Sequence, residues 1–386
     1  MPAISISARL ALFYAAFFAV SGIQLPFWPV WLQAQGLGPA QMSVLLTVGV
    51  WARIVANPLF AHLADRRGAR RGSIVLLAWA SPLVLACYFV ADGFWQLLGI
   101  SVVLGFLWSP IMPLGESLAL LVAYRDKLDY GRIRVWGSIS FMLATIASGW
   151  LLAGRGASVI LTMVLSTMLL NAAVCHLLPE VRIEPEAPTT GPPVAQLLRQ
   201  PTFALFLLGS SLIQCSHAAY YGFSAVYWQS QGFSGTVISI LWAEGVVAEI
   251  LLFIVSGALL SRISPLALLL IGGLAGILRW TGTATTTDLL ILIPLQAMHG
   301  LTFGAAHLGA MHYISRAIPA DQSASAQSLY SISTGGIALG LAMLAAGPLY
   351  AEFGPGAFIA MAVLSAIGAV AVAILKQLWP SSSMHR

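Results

Sequence analysis

Charge is scarce in this chain. Only 8% of its 386 residues are Asp, Glu, Lys or Arg, whereas a water-soluble protein carries about 25%. A chain so poor in polar surface cannot face water on all sides, which excludes an ordinary soluble domain. Lysine is rarer still: Lys127 and Lys376 are the two present. Cysteine is limited to Cys87, Cys175 and Cys215, all inside apolar stretches and without CxxC spacing. That pattern excludes a disulfide framework, gives no metal site and predicts buried thiols. HExxH, Walker A and GxSxG motifs are missing, so no known catalytic motif supports a membrane enzyme. The net charge of +5 is spread over short loops rather than gathered in a patch, and nucleic acid is not an expected partner. A cleavable signal peptide is not expected either. The first apolar segment begins near Arg9, is too long for a signal core and lacks a small-residue cleavage site.

What the chain has is length of apolar sequence. Hydrophobic residues make up 59% of it, and about 20 consecutive apolar residues cross a bilayer as a helix. Windows of that size fall at 9–33, 40–62, 73–91, 94–122, 134–154, 157–178, 201–229, 237–260, 266–284, 289–315, 324–349 and 355–377. The expected fold is all-α, with twelve spans in two six-helix bundles. Basic residues favour the cytoplasmic side of short loops. With the N-terminus inside, fourteen Lys and Arg fall on that side and only Arg155 outside, so both termini are expected in the cytoplasm. The proline-rich stretch 179–200 reads as a cytoplasmic linker between an N-terminal bundle, 1–178, and a C-terminal bundle, 201–386.

The halves resemble each other. A shift of 196 places "FWPVWLQAQG" (27–36) over "FSAVYWQSQG" (223–232), and eleven of the 28 positions from 27 to 54 are identical. Parallel repeats of this kind build transporters whose site lies between the halves. The same shift sets Arg53 over Glu249.

Six ionisable groups of strong charge lie in or at the edge of spans: Arg53, Glu116, Arg134, Glu244, Glu249 and Arg279. A charge at the helix centre costs about 2.5–3.5 kcal/mol, so such groups face a cavity or one another. Snorkelling from a helix end accounts equally well for Glu116 and Arg134. It is a poorer account of Arg53 and Glu249, far from any expected end. Glu244 reads as a structural partner. Arg134 follows the inner loop in "DYGRIRVWGS" (129–138), and an antiparallel hairpin lets it face Glu116. A guanidinium fork there suits a substrate carboxylate or hydroxyl. His217, His299 and His307 also lie in spans, where a proton carrier and a neutral hydrogen-bonded imidazole are both open. Tyr220 and Tyr221, in "YYGFSAVYW", either line a cavity or pack. Gly272/Gly276 and Gly336/Gly340 have the spacing of close helix contacts.

These residues resemble the major facilitator superfamily. "LADRRGARR" (63–71) is similar to its loop motif, with Asp65, Arg66 and Gly68 as the core. "DYGRIRVWGS", "AAYYGFSAVYWQ" (218–229), "GVVAE" (245–249) and "RW" (279–280) resemble the phenylpropionate permease family, related to lactose permease and nucleoside–proton symporters. The resemblance implies a substrate site with Glu116 and Arg134; from their place in the spans Arg53, Tyr220, Tyr221 and His217 are added to it. The resemblance also implies a proton-coupling set of Glu249, Arg279 and His299, to which His307, two turns after His299, is added. One residue departs: Thr302 stands where the resemblance to lactose permease implies a proton-carrying glutamate, which shifts the expectation for the carrier to Glu249, with His217 and His307 next. The expected activity is proton-coupled uptake of a small organic solute, such as an aromatic carboxylate, across a bacterial inner membrane. It needs no cofactor beyond the proton gradient, and the expected protein is a monomer in the bilayer. A sugar or nucleoside symporter, an efflux pump and a nontransporting sensor are the alternatives.

Overall fold

A computed structural model of the chain describes residues 4–68, 70–181 and 197–378. Among the described residues all regular structure is helical, and twelve helices are long and apolar enough to cross a membrane. They are α1 (Ile6–Ala34), α2 (Pro39–Ala64), α3 (Arg70–Phe89), α4 (Gly93–Arg125), α5 (Tyr130–Leu152) and α6 (Ser158–Cys175). The second six are α7 (Pro201–Ser230), α8 (Gly235–Ile254), α9 (Pro265–Thr285), α10 (Leu289–Ala317), α11 (Ser325–Phe353) and α12 (Gly356–Leu378). Most of the expected linker, 182–196, lies outside the described residues.

Several spans are less regular than a window of hydropathy suggests. In α4 the α-helix stops at Trp108 and restarts at Ile111. Pro110 lies in that gap, and its ring cannot supply an amide hydrogen to the preceding turn. In α7 the helix breaks at Ser216–His217. In α8 it gives way at Val255 to a short helix, Ser256–Leu260, that accounts for the end of the expected eighth span. Both α10 and α11 contain wide-turn π segments, Gly300–Ala305 and Ile332–Ala338; such turns are frequent at functional sites. The stretch that begins α5 also differs from expectation. Helix starts at Tyr130 rather than Arg134, because the Asp129 carboxylate caps it, accepting from the Arg132 amide at 3.1 Å.

The chain forms two compact units, Met1–Ala187 with Gly232–Ile240, and Pro188–Gln231 with Leu241–Arg386. In the first, α1 packs along α5 closely enough that Thr145 Oγ1 donates to the Gly22 carbonyl at 2.7 Å. The start of α8 belongs here, where a Cβ on Gly235 would come within 2.6 Å of the Gly149 carbonyl oxygen. Aromatic and aliphatic residues including Phe13, Tyr14, Leu118 and Ile133 fill the core. In the second unit α9 packs against α12 and α10. Gly272 permits this: a Cβ there would meet that of Ala306 at 2.9 Å.

The basic residues after Gly68 tie the first unit together at one end. Gly68 has φ 61°, the left-handed conformation that glycine adopts without strain at a helix end. Arg70 donates to Ser117 Oγ at 2.6 Å, and Arg71 to the His176 carbonyl at 2.7 Å. Arg9 donates to the neighbouring Leu177 carbonyl. Two guanidinium groups thus satisfy carbonyls just past the C-terminus of α6, where positive charge is favoured. Arg66 is exposed, and the side chain of Asp65 lies outside the described residues. Cys175 and Cys215 are buried as expected, but Cys87 is exposed. An apolar run in a membrane helix has an outward face, so apolar surroundings in sequence do not guarantee burial in the protein.

Candidate functional site

The second unit holds a connected set of polar side chains inside its apolar helices. Its node is Arg279, on the face of α9 that also carries Gly272, Gly276 and Thr283 at helical spacing. The glycines admit neighbouring helices, and Arg279 ends fully buried, with 0% of its surface exposed. Its Nη1 donates to His299 Nδ1 at 3.0 Å and to Thr302 Oγ1 at 2.9 Å. Its Nη2 donates to Gln296 Oε1 at 2.9 Å. The guanidinium lies over the rings of Tyr220, at 4.7 Å, and Trp280, at 4.5 Å. Among the described residues no carboxylate forms an ion pair with it.

These contacts fix the direction of every hydrogen bond. Arginine only donates, so His299 Nδ1 is an acceptor and its proton sits on Nε2, 3.6 Å from Glu249 Oε2. His217 Nδ1 faces the Gln214 carbonyl at 3.0 Å and must donate to it. With its proton on Nδ1, neutral His217 accepts at Nε2 from the Thr302 hydroxyl, 3.1 Å away. Two donor chains therefore leave Arg279. One runs to His299, whose Nε2 points at Glu249 within ion-pair reach but beyond hydrogen-bond distance; the other runs through Thr302 and His217 to backbone. The π segment Gly300–Ala305 carries Thr302 and Phe303 between the two histidine positions of α10. Phe303 stacks on His299 at 5.3 Å and on His307 at 6.3 Å, so His307 continues a ring stack and stands outside both donor chains.

Aromatic residues enclose this network. Tyr220 stacks on Trp242 at 4.4 Å, and Tyr221 on His217 at 5.7 Å. Trp280 Nε1 donates to Ser216 Oγ at 2.9 Å beside the break in α7. Glu244, expected to be a structural partner, is half-buried and makes no hydrogen bond or ion pair among the described residues.

The first unit brings a smaller group together at α1, α4 and α5. Tyr14 is buried and lies beside both Glu116 and Arg134. Its hydroxyl also reaches the Tyr130 hydroxyl at 3.5 Å. Glu116 and Arg134, expected to face each other, are not in ion-pair contact among the described residues. Arg134 turns instead over the rings of Phe18, at 4.2 Å, and Tyr14, at 5.3 Å. The hairpin does place both on one side, but the tyrosine of α1 stands between their roles. Arg53 is exposed on α2 and joins neither group within its unit.

Of the expected site residues, the structure thus gathers Arg279, His299, Glu249, His217, Tyr220 and Tyr221, and separately Glu116 with Arg134. Tyr14, Phe18, Trp242 and Gln296 belong to these groups and were not singled out by sequence, and Trp280 was noted only within "RW" (279–280). Gln296 was visible as a lone amide in "LLILIPLQAMHG" (289–300), three residues before His299. The aromatic residues had no such signal among so many. Among the described residues no group of three His, Cys, Asp or Glu is placed to hold a metal ion.

Comparison with known proteins agrees with this architecture. Residues 7–360 match the MFS_1 like family. The chain is 34% identical over 362 residues to the probable 3-phenylpropionic acid transporter of Escherichia coli K12, covering 92% of this chain and 94% of that protein. It is 26% identical to the maltose permease of Geobacillus stearothermophilus, covering 94% and 93%. Its fold matches the crystal structure of a mutant of the nucleoside transporter NupG with a TM-score of 0.87 at 16% identity, over 96% of this chain and 100% of that one. Twelve apolar helices and a match across nearly the whole chain make this protein a member of the MFS_1-like family, a multi-pass membrane transporter of the major facilitator superfamily and not an enzyme.

Proposed function

We propose that the protein imports a small aromatic carboxylate, of which 3-phenylpropionate is the type, together with protons by alternating access. The observation that carries this reading is the array Arg279, His299, Glu249: a hydrogen bond of 3.0 Å from Arg279 to His299, and Glu249 3.6 Å beyond the imidazole, within ion-pair reach. It links a fixed buried cation to a titratable carboxylate through an imidazole, all within membrane-spanning helices. Intramembrane groups of this kind mark proton relays. Glu249 is the proton carrier: Thr302 cannot titrate, and the bonds of His299 and His217 each fix one neutral tautomer. Protonation of Glu249 removes a buried negative charge and so permits an anion to be carried without a net surplus of charge. Preferential binding of the anion to the protonated protein is then all the coupling requires.

Substrate recognition in the first unit falls to Arg134, with Glu116 and Tyr14 beside it. The guanidinium rests on aromatic faces and is half-exposed, so its fork is open to a carboxylate. The relative named for 3-phenylpropionic acid supports that substrate class. The maltose permease relative supports a second reading, a sugar substrate whose hydroxyls would bond Glu116 and Arg134 together. The protein works as a monomer in a bacterial inner membrane with both termini in the cytoplasm, as the basic residues of its inner loops favour. It needs no cofactor other than the proton gradient.

The test is uptake of radiolabelled 3-phenylpropionate by cells expressing the chain, with and without a protonophore. Accumulation that collapses on adding protonophore is expected. Accumulation untouched by it would remove proton coupling, and no uptake would move attention to maltose and nucleosides.

A further inference from the structure

The cluster around Arg279 has donors to spare. Arg279 Nε and Gln296 Nε2 are buried and have no hydrogen-bond partner among the described residues. Both residues are 0% exposed and are already joined to each other, Nη2 to Oε1, at 2.9 Å. The acceptors that hold Arg279 are His299 Nδ1 and Thr302 Oγ1, both on Nη1, and Gln296 Oε1 on Nη2, with the Tyr220 hydroxyl also beside the guanidinium. A buried donor left unmade costs about 1–3 kcal/mol, and a guanidinium in an apolar helix bundle costs more without an anion. The deficit also has a shape. Nε and Nη2 form the edge of a guanidinium that binds a carboxylate through two parallel bonds. Gln296 Oε1 already accepts from Nη2, while its NH₂ has no partner among the described residues.

We infer that Arg279 and Gln296 form a carboxylate-binding fork within the second unit, a station for the organic acid distinct from Arg134. On binding, Gln296 rotates its amide. Its Oε1 leaves Nη2, the two carboxylate oxygens take Nε and Nη2, and Nε2 donates a third hydrogen bond to the ligand. No covalent bond changes, and each orphaned donor gains an acceptor. The way in passes His299 and Glu249, whose side chains retain exposure of 11% and 21%, beside the partly exposed Tyr221 and Phe303. The ring of an aryl acid would then lie among Tyr220, Tyr221, Trp242 and Phe303, which the cluster already gathers. The inference rests on the reading that the cargo is an aromatic carboxylate.

The experiment uses the purified full-length protein and two probes, 3-phenylpropionate and its uncharged amide. The wild-type chain is expected to bind the acid more tightly. Gln296→Glu supplies the fork with a carboxylate of its own. Acid binding should weaken roughly 30-fold or more, the loss expected when a buried charge pair is denied its partner. Amide binding should be kept, and the Tm should hold or rise. Acid binding at the wild-type level in this variant would overturn the fork while leaving the transport reading in place. Should Gln296→Glu fail to fold, Gln296→Leu serves: it opens the fork but removes the third donor. A several-fold loss for the acid alone is expected there, and equal loss for acid and amide would overturn the inference. A wild-type chain that binds no acid sinks the functional reading and the fork with it.

Discussion

Two arginines, one in each unit, show how differently a membrane protein can hold the same cation. Arg134 lies in the second turn of α5, is half-exposed, and rests on Phe18 and Tyr14, with no hydrogen bond or ion pair on its fork among the described residues. Arg279 is sealed in α9 and is held by His299, Thr302 and Gln296 through three hydrogen bonds. Cation–π contact at an exposed site is worth about 0.5–1 kcal/mol, so Arg134 can leave its rings at little cost. Arg279 cannot leave His299 and Thr302 without removing the donor each accepts from. The comparison separates a group suited to greeting a ligand from one around which a titratable network is organised. It also explains why the two regions should fail differently when altered.

The largest effect is expected from Arg279→Ala. It strips three side chains of their donor and empties a fully buried site, with a cost of roughly 3 kcal/mol or more. Thermal unfolding in detergent should show a clear fall in Tm, and uptake should vanish. Arg279→Lys should rescue neither in full, because one ammonium cannot span His299 and Gln296 with fork geometry. A lysine variant with wild-type Tm and uptake would show the network to be less directional than its hydrogen bonds require.

Arg134→Ala should come next, with the opposite balance. Uptake and substrate binding are expected to be lost while Tm changes by no more than about 1 kcal/mol in stability. Glu116→Gln should behave alike. Normal uptake in either variant would take that variant's residue out of the site. Glu249→Gln divides transport differently again. Uphill accumulation should stop while exchange of labelled for unlabelled substrate continues, since only the proton step is removed. Undiminished uphill transport by this variant would exclude Glu249 as the carrier.

Much of this contrast was legible in the sequence, and what was not has physical causes. Span number follows from apolar length, because a bilayer demands it. Arg279, Glu249 and His299 were conspicuous as rare ionisable residues in oil. That Glu116 and Arg134 can face each other followed from the hairpin; that Tyr14, from a helix more than a hundred residues earlier, lies beside both did not. Breaks in α7 and α8 and the π turns of α10 and α11 were invisible. Hydropathy averages over turns, and these distortions depend on which neighbours each turn must meet. Cys87 was misplaced for a related reason: apolar sequence in a membrane helix points to lipid as readily as to the core.

The smallest and most discriminating effect belongs to Thr302→Val. Thr302 departs from the proton-carrying glutamate that the sequence resemblance implies, and its hydroxyl accepts from Arg279 at 2.9 Å and lies 3.1 Å from His217 Nε2. Valine keeps the shape and deletes both bonds, so stability should fall by about 1–2 kcal/mol. If the residue only fixes the tautomer of His217 and shares the load on Arg279, the maximal rate of uptake falls modestly and its pH profile keeps its position. Thr302→Ser, which retains the hydroxyl, should restore the rate. A displaced pH profile in Thr302→Val would place the second donor chain, through His217, on the proton's route. The division between a proton branch ending at Glu249 and a structural branch ending at the Gln214 carbonyl would then fail.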